Sequence, residues 1–229
     1  AKKKKLLLIE DSAESCGGIY KGKKIGTWSD ISCFSFEEKK IITTGDGGMI
    51  CLNDKKRYEK LKSLSFHGWN KDPWERHLMF FKKKKNFSKH WKYEIENLGF
   101  KYNMNDLTAS MGLAQLSKIN LFNKKRNLIL KKYLIGIKNL NYIKPVFPYD
   151  TKNGSYWLFS IKTKFRDELI NFLKEKKIST AVHFVPLPMN KLYKQFNNKS
   201  LRNTKDIWKE IVSLPFFPNL ENKKINYII

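Results

Sequence analysis

A run of four apolar residues near the start of the chain places the strongest constraint on its fold. Leu6 to Ile9 follows four lysines, Lys2 to Lys5, and is followed at once by the acids Glu10 and Asp11. A short apolar run bounded by charge is typical of a strand buried on both faces of a parallel α/β sheet. The sequence therefore predicts a central strand with neighbours and covering helices. We also expect the chain to be the C-terminal part of a longer α/β protein.

The rest of the first half also shows patterns typical of short strands and helices. Short apolar segments predict strands over 31–36 and 49–52, and a polar, amphipathic segment predicts a helix over 54–64. The stretch 67–97 is polar, aromatic and lysine-rich without clean periodicity, so we expect a long loop there. Apolar residues at near-3.6 spacing over 105–134 predict one long helix or two.

A change of composition around Lys144–Pro148 separates this half from a second pattern of elements. That pattern predicts a strand over 156–161, a helix over 166–176, a strand over 180–184 and a helix over 204–212. We divide the chain, within the helical segment 105–134, into part of a large α/β domain over 1–120 and a small α+β domain over 121–229.

Composition excludes several classes of protein. Lys and Arg number 46 against 21 acids, a formal charge of +25, but only five of the basic residues are arginine, the residue that nucleic-acid interfaces favour. We interpret the lysines as a solvated surface; a polyanion-binding face would otherwise lie at the runs 2–5 and 82–85. No apolar run approaches the roughly 18 residues of a membrane span. Three cysteines without a CxxC pair favour a reducing compartment, so we expect a cytoplasmic protein.

Three polar residues follow or lie within the first predicted strands. Asp11 comes after the apolar run, Ser35 lies in the next strand, and Lys40 precedes a glycine-rich turn. An acid, a hydroxyl and a lysine at neighbouring strand ends are what a pyridoxal 5′-phosphate (PLP) site requires. The amine forms a Schiff base, and the carboxylate keeps the pyridine nitrogen protonated. From spacing alone, an aspartate N-cap and a solvated lysine are the more common interpretations of these residues.

Longer segments resemble the DegT/DnrJ/StrS family of PLP-dependent nucleotide-sugar aminotransferases. They occur in order along nearly the whole chain: Ile9–Ser15, Tyr20–Thr27, Phe34–Met49, Gly99–Leu116, Val182–Leu187 and Ser213–Leu220. The resemblance implies a PLP-dependent, aspartate-aminotransferase-like (type I) fold. The chain would hold a remnant of the large domain plus the small C-terminal α+β domain. It also implies a homodimer with shared active sites.

The resemblance implies a role for four residues of the first half. Asp11 matches the acid that pairs with the pyridine nitrogen, and Glu14 matches a position beside the cofactor ring. Ser35 matches a hydroxyl donor to the cofactor phosphate. Lys40 matches the Schiff-base lysine that also moves a proton between the cofactor and the substrate.

Two further positions carry implied roles, and two features depart from the family pattern. Lys101 matches a slot that reaches the phosphate site of the neighbouring subunit, and His183 lies where the C-terminal lobe approaches the sugar nucleotide. The charged triplet 37–39 replaces small or amide residues, and Asp46 replaces the usual glutamate. The family's N-terminal half, with its phosphate-binding Gly-Thr turn and stacking aromatic residue, does not precede Ala1 in the sequence.

The implied function is PLP-dependent transfer of an amino group from glutamate to a nucleotide-linked keto-deoxysugar. We expect a 4-keto sugar and a role in amino-sugar biosynthesis for a surface polysaccharide such as lipopolysaccharide. Two alternatives stay open: a truncated, non-catalytic remnant or basic binding module, and a PLP-dependent sugar dehydratase, in which histidine replaces the lysine. Lys40 counts against the dehydratase. His67, His77 and His90 lack a cluster of cysteine or acid partners, so we predict no metal site.

Overall fold

The computed structural model describes residues 1–81, 91–196 and 201–229. Its strands are β1 (Ile9–Asp11), β2 (Ile19–Tyr20), β3 (Lys23–Lys24), β4 (Ile31–Ser35), β5 (Gly48–Leu52), β6 (Lys144–Pro145), β7 (Phe159–Lys162) and β8 (Ile211–Leu214). Its α-helices are α1 (Lys55–Ser65), α2 (Pro73–Phe81), α3 (Asp106–Leu116), α4 (Ile119–Ile137), α5 (Arg166–Glu175), α6 (Arg202–Glu210) and α7 (Asn222–Ile228). Short 3-10 turns occupy Lys2–Lys4, Leu187–Met189 and Lys191–Phe196.

The first sheet has the strand order β1-β4-β5 and sets the position of the polar residues at its edge. β1 runs parallel to β4, with Asp11 opposite Cys33, and β5 returns antiparallel to β4, with Ser35 opposite Gly48. Because β1 and β4 are parallel, their carboxyl ends meet at one edge, so the ends carrying Asp11 and Ser35 are neighbours. The prediction that these residues end adjacent strands is confirmed.

The prediction that Leu6 to Ile9 forms a strand buried on both faces is wrong for this chain. Only Ile9 of the run belongs to β1, and Leu6 and Ile9 are 63% and 60% exposed. β1 lies at the sheet edge and pairs only with β4 among the described residues. An edge strand that no described element covers leaves its apolar side chains in water.

The main hydrophobic core lies in the second half of the chain. Ile129, Leu130, Tyr133 and Ile137 form one stripe of α4, at the helical spacing that brings side chains to a common face. The stripe packs against the β6-β7-β8 sheet and helices α5 and α7, and the Tyr133 ring stacks on Phe159 at 4.8 Å between centroids. Remaining core members are Phe159, Ile161, Leu173, Ile178, Val212, Leu214, Phe216, Leu220 and Ile225.

Two predicted helical segments begin at side-chain caps. The Asp54 carboxylate accepts a hydrogen bond from the Arg57 N–H (2.8 Å) at the start of α1, and the Asn105 side-chain oxygen accepts one from the Thr108 N–H (3.0 Å) at the start of α3. The apolar segment 105–134 is two helices, because α3 ends at Leu116 before α4 begins.

Three other predictions differ from the structure. The expected loop over 67–97 contains α2, whose first turn is fixed by reciprocal bonds between Asp72 and Glu75. The expected strand over 180–184 is only a single bridge between Ala181 and Ser213. The predicted helix over 204–212 ends at Glu210, and its last residues begin β8.

Part of the predicted basic face and one histidine lie outside the described residues: the lysine run 82–85 and His90. Within the described ranges, none of the helices has the length and apolar character needed to cross a bilayer. The same part of the chain holds no group of three histidine, cysteine or acidic side chains placed to share a metal ion.

Candidate active site

A cavity of about 670 Å³ opens beside the carboxyl end of β1. One wall is the loop that follows this strand, with Asp11 and Glu14. The other lining residues come from the second half of the chain and are rich in aromatic rings, among them Trp157 and His183. The other aromatic members are Phe147, Tyr149, Tyr156 and Phe184. A mostly apolar wall facing a few polar groups is the usual composition of a small-molecule site.

Lys40, in the turn between β4 and β5, is not among the residues that line the cavity, but its amine contacts two that are, Glu14 and Trp157. Its side chain is only 15% exposed, and its Nζ lies 3.4 Å from Glu14 Oε1. The same Nζ lies 3.9 Å from the centroid of the Trp157 ring, within the range of a cation–π contact. The amine is therefore held between a carboxylate of one wall and an aromatic face of the other.

Asp11 and Ser35 occupy the strand ends and make local bonds there. The Asp11 Oδ1 accepts a hydrogen bond from the Ala13 N–H (3.1 Å), and the side chain lines the cavity. Ser35 Oγ accepts one from the Glu37 N–H (3.3 Å) and is not among the residues that line the cavity. Both bonds are turn-forming contacts two residues along the chain. They fix the backbone at the edge of the sheet.

Lys101 is placed apart from these residues. It pairs with Phe66 in an isolated bridge, and its Nζ lies 4.7 Å from the centroid of that ring. The amine donates to the Asn103 side chain, and the residue is exposed. Its implied role toward a second subunit stays a prediction.

His183 faces the cavity next to Trp157, with ring centroids 5.4 Å apart in an edge-on arrangement. Its Nδ1 lies 3.0 Å from the Ser213 hydroxyl oxygen. Burial lowers the pKa of His183, with the Glu14 carboxylate raising it and Lys39 lowering it, and the net direction is down. The imidazole is therefore neutral at neutral pH.

The charged residues 37–39 form a hydrogen bond and an ion pair with one another. Glu37 accepts a hydrogen bond from the Lys39 N–H at 3.0 Å, and Lys39 Nζ pairs with Glu38 at 3.3 Å. The side chains of Glu38 and Lys39 are 68% and 71% exposed. This departure from the family pattern therefore places its charges mainly in solvent.

Sequence reasoning missed Trp157 and Ser213. Trp157 lies inside the predicted strand 156–161, where alternation places it with the buried Phe159 and Ile161, but β7 begins only at Phe159. No sequence signal distinguishes its cavity position. Ser213 carried a usable signal, because a small polar residue interrupts an otherwise apolar strand.

Comparisons with known proteins agree on one family. The family model of the DegT/DnrJ/EryC1/StrS aminotransferases matches residues 1–229. The chain is 35% identical to GDP-perosamine synthase of Escherichia coli O157:H7 over 100% of its own length and 58% of the relative. It is 31% identical to the spore coat polysaccharide biosynthesis protein SpsC of Bacillus subtilis, covering 98% of this chain and 58% of the relative.

Solved structures give the same result for the fold. PseC of Helicobacter pylori, an aminotransferase involved in pseudoaminic acid biosynthesis, superposes with a TM-score of 0.84 at 29% identity, covering 99% of this chain and 58% of that one. The PMP-form of the putative sugar aminotransferase Spr1654 of Streptococcus pneumoniae gives 0.83 at 27% identity, with 97% and 57% covered. The chain thus spans a little over half the length of these relatives. Its fold is that of the PLP-dependent type I enzymes, and the chain belongs to the DegT/DnrJ/EryC1/StrS aminotransferase family.

Proposed function

We propose that this chain carries the lysine-bearing part of a PLP-dependent sugar aminotransferase. The observation that supports this most directly is the placement of Lys40. Its amine is mostly shielded from solvent and lies between Glu14 and Trp157, two residues of the cavity that Asp11 also lines. A lysine and a carboxylate at one cavity are the two groups that PLP chemistry requires of the protein.

The residues present fit the cofactor of this family, which is PLP. Lys40 would hold it covalently, Asp11 would pair with the pyridine nitrogen, and the Ser35 hydroxyl would donate to the phosphate. Asp11 and Ser35 both lie at the ends of parallel strands at the same sheet edge, so both can contact one bound ligand. When bound, the cofactor supplies an electron sink for the carbon that loses a proton.

The chain's own groups would carry the proton transfers and the orientation of the ligand. Lys40 would accept and return a proton at the substrate carbon, because its amine lies 3.9 Å from the Trp157 ring of the aromatic wall. Glu14, at 3.4 Å, would orient that amine and balance its charge when protonated. The rings of Trp157 and His183 would exclude water from the cavity, which strengthens the electrostatic contacts inside it.

We propose a nucleotide-linked 4-keto-deoxysugar as the acceptor and glutamate as the amino donor. The names of the relatives support a product of this class: one is a GDP-perosamine synthase, and another serves spore coat polysaccharide biosynthesis. The formal charge of +25 favours an anionic substrate, since a nucleotide diphosphate carries negative charge that a basic surface attracts. Amino-sugar supply for a surface polysaccharide is the corresponding role.

We further propose the domain division 1–120 and 121–229, a homodimer with shared active sites, and a cytoplasmic location. The division is supported by the main core, because every one of its members lies between Ile129 and Ile225. The exposed position of Lys101 leaves its amine accessible to a second subunit.

Covalent trapping tests the proposal. The purified protein is incubated with PLP, reduced with borohydride and digested. The peptide masses are then measured by mass spectrometry. We expect the added cofactor mass on Lys40, its loss in Lys40→Ala and its retention in the matched control Lys39→Ala. An adduct that persists in Lys40→Ala, or no adduct in the unchanged protein, would overturn the assignment. Release of 2-oxoglutarate from glutamate, and amination of a 4-keto rather than a 3-keto nucleotide sugar, test the substrates.

A further inference from the structure

A second cavity, of about 360 Å³, lies beside α4 and shares no lining residue with the candidate active site. Three segments form its walls: the chain over 17–24, the face of α4 that spans 120–131, and the loop 151–154. Its lining includes four lysines, Lys24, Lys124, Lys131 and Lys152, and none of its described lining residues is acidic or aromatic. The cavity is therefore a concentration of positive charge that the proposed reaction does not use.

Hydrogen bonds between the walls fix the shape of this cavity. Asn127 Nδ2 donates to the Gly154 carbonyl oxygen at 3.0 Å, which joins α4 to the loop 151–154. The Ile19 N–H donates to the Asn153 carbonyl oxygen at 2.9 Å, which joins the same loop to β2. Because these bonds exist without a ligand, binding does not have to order the walls, and the entropic cost of binding is reduced.

Two pairs of lysines on α4 differ in what their amines contact. Lys125 and Lys132 donate to asparagine side chains near the end of the chain, at 3.1 and 2.7 Å. Lys124 and Lys131 line the cavity, and their amines form no hydrogen bond or ion pair with any described residue. Both pairs have the same seven-residue spacing, about 10 Å along the helix axis. One pair thus stabilises the fold, whereas the other leaves two unpaired charges at the cavity.

The other two lysines differ in their surroundings. Lys24 Nζ donates to the Gly17 carbonyl oxygen at 3.3 Å, so its amine lies at the cavity wall without a carboxylate partner among the described residues. Lys152 follows Asp150, whose carboxylate does not line the cavity. Hydrogen bonds from the N–H groups of Asn153 and Lys152 lower the pKa of Asp150, with a smaller effect from the Lys152 charge. This acid therefore offsets part of one of the four positive charges.

We propose that this cavity binds a small anion that carries two or more phosphate groups. Like charges gathered at one cavity repel one another, and a polyanion both relieves that repulsion and is attracted by each ammonium group. Lysine binds phosphate as a point charge on a flexible stem, so side chains from three walls can close on one ligand. A nucleobase or a nucleic-acid strand would use aromatic stacking surfaces, and the described lining has none. Binding there needs neither PLP nor Lys40.

Isothermal titration calorimetry with inorganic pyrophosphate tests the proposal, in about 0.15 M salt to screen distant surface charges. We expect saturable binding to the unchanged protein. The double variant Lys124→Gln/Lys131→Gln should weaken it about five- to twentyfold, as expected for the loss of two partly exposed charge contacts. The matched control Lys125→Gln/Lys132→Gln removes the same charge, at the same spacing, from the same helix. It should change the affinity by less than about twofold. Equal losses in the two double variants, or no saturable binding, would overturn the proposal.

A second matched pair decides if the α4 variants do not fold. Lys24→Gln should weaken binding about two- to fivefold, for the loss of one such contact. Lys23→Gln, at the neighbouring position of β3, should not, because the Lys23 amine lies near the Trp28 ring and does not line the cavity. Equal effects of these two substitutions would also overturn the proposal. Titration with a nucleoside diphosphate identifies the source of the phosphates: tighter binding than pyrophosphate assigns a nucleotide, and equal or weaker binding assigns the inorganic anion.

Discussion

Replacing the buried Arg126 by methionine should stabilise this protein. Arg126 lies on α4 and is 6% exposed. Its Nη1 lies 3.5 Å from the Ile41 carbonyl oxygen, a long hydrogen bond, and its Nε is buried without a partner. No carboxylate of the described residues forms an ion pair with it. The guanidinium is thus a buried charge whose one hydrogen bond is weak. That bond goes to Ile41, the residue that follows Lys40.

The size of the effect follows from the protonation equilibrium. Burial lowers the pKa of Arg126 from 12.5 to about 10. At 1.36 kcal/mol per pKa unit, the charged form costs about 3 kcal/mol in the folded state. For a base whose pKa is lower folded than unfolded, this cost is fully present below pH 10. It disappears only as the pH rises from 10 toward 12.5. Methionine matches the arginine side chain as far as Nε and carries no charge, so we expect a gain of about 1–3 kcal/mol at pH 7.

Urea unfolding followed by tryptophan fluorescence measures this gain. Arg126→Lys keeps a charge at the same site and should not be stabilised. Arg57→Met removes an exposed arginine paired with Asp54 and should change the free energy of unfolding by less than about 0.5 kcal/mol. If Arg126→Met were no more stable than the unchanged protein, the charge would be compensated and our reasoning about its burial would be refuted.

Two smaller effects follow from single contacts. Tyr133→Phe should lower the free energy of unfolding by about 1–3 kcal/mol, because the Pro215 carbonyl loses its 2.8 Å donor within the core; an unchanged thermal midpoint would contradict this. Lys62→Met should lower it by about 1 kcal/mol, because Asp72 and Glu75 lose their partner at 2.7 and 2.8 Å. That loss should shrink in 1 M salt, and an effect independent of salt would show that the ion pairs do not cause it.

The elements that local pattern specifies were predicted well. β4, β5, α1 and α5 begin and end within a residue or two of the predicted bounds, because turn residues or caps delimit an apolar pattern there. α2 was missed because its helix is short and its aromatic residues mask the periodicity. β8 was missed for a different reason: Ile211–Leu214 is a strand only because β7 and the Ala181 bridge pair with it. Such pairing is not encoded in the segment itself.

The exposed run Leu6 to Ile9 shows a second limit of sequence reasoning. An apolar run indicates that side chains require cover, but the covering surface belongs to other parts of a molecule. The described residues supply one neighbouring strand, β4, and no cover for the faces of the run. A similar apolar cleft of about 860 Å³ lies between β5 and α1, with Met49 and Ile50 about half exposed. The pattern therefore predicted the burial of the strand incorrectly and its position only in part, because β1 begins at Ile9, the last residue of the run.

The candidate site depends on a contact that no single segment specifies. Asp11 and Ser35 could be found from strand ends, but Lys40 meets Trp157 because two segments distant in sequence are joined beside the cavity. One join is the Cys16 carbonyl, which accepts hydrogen bonds from the Ser155 hydroxyl at 2.7 Å and the Asn123 amide at 3.1 Å. Both donors are buried, at 7% and 8% exposure. Because Cys16 lies two residues from Glu14 and Ser155 two residues from Trp157, these bonds hold the two walls around the Lys40 amine in register.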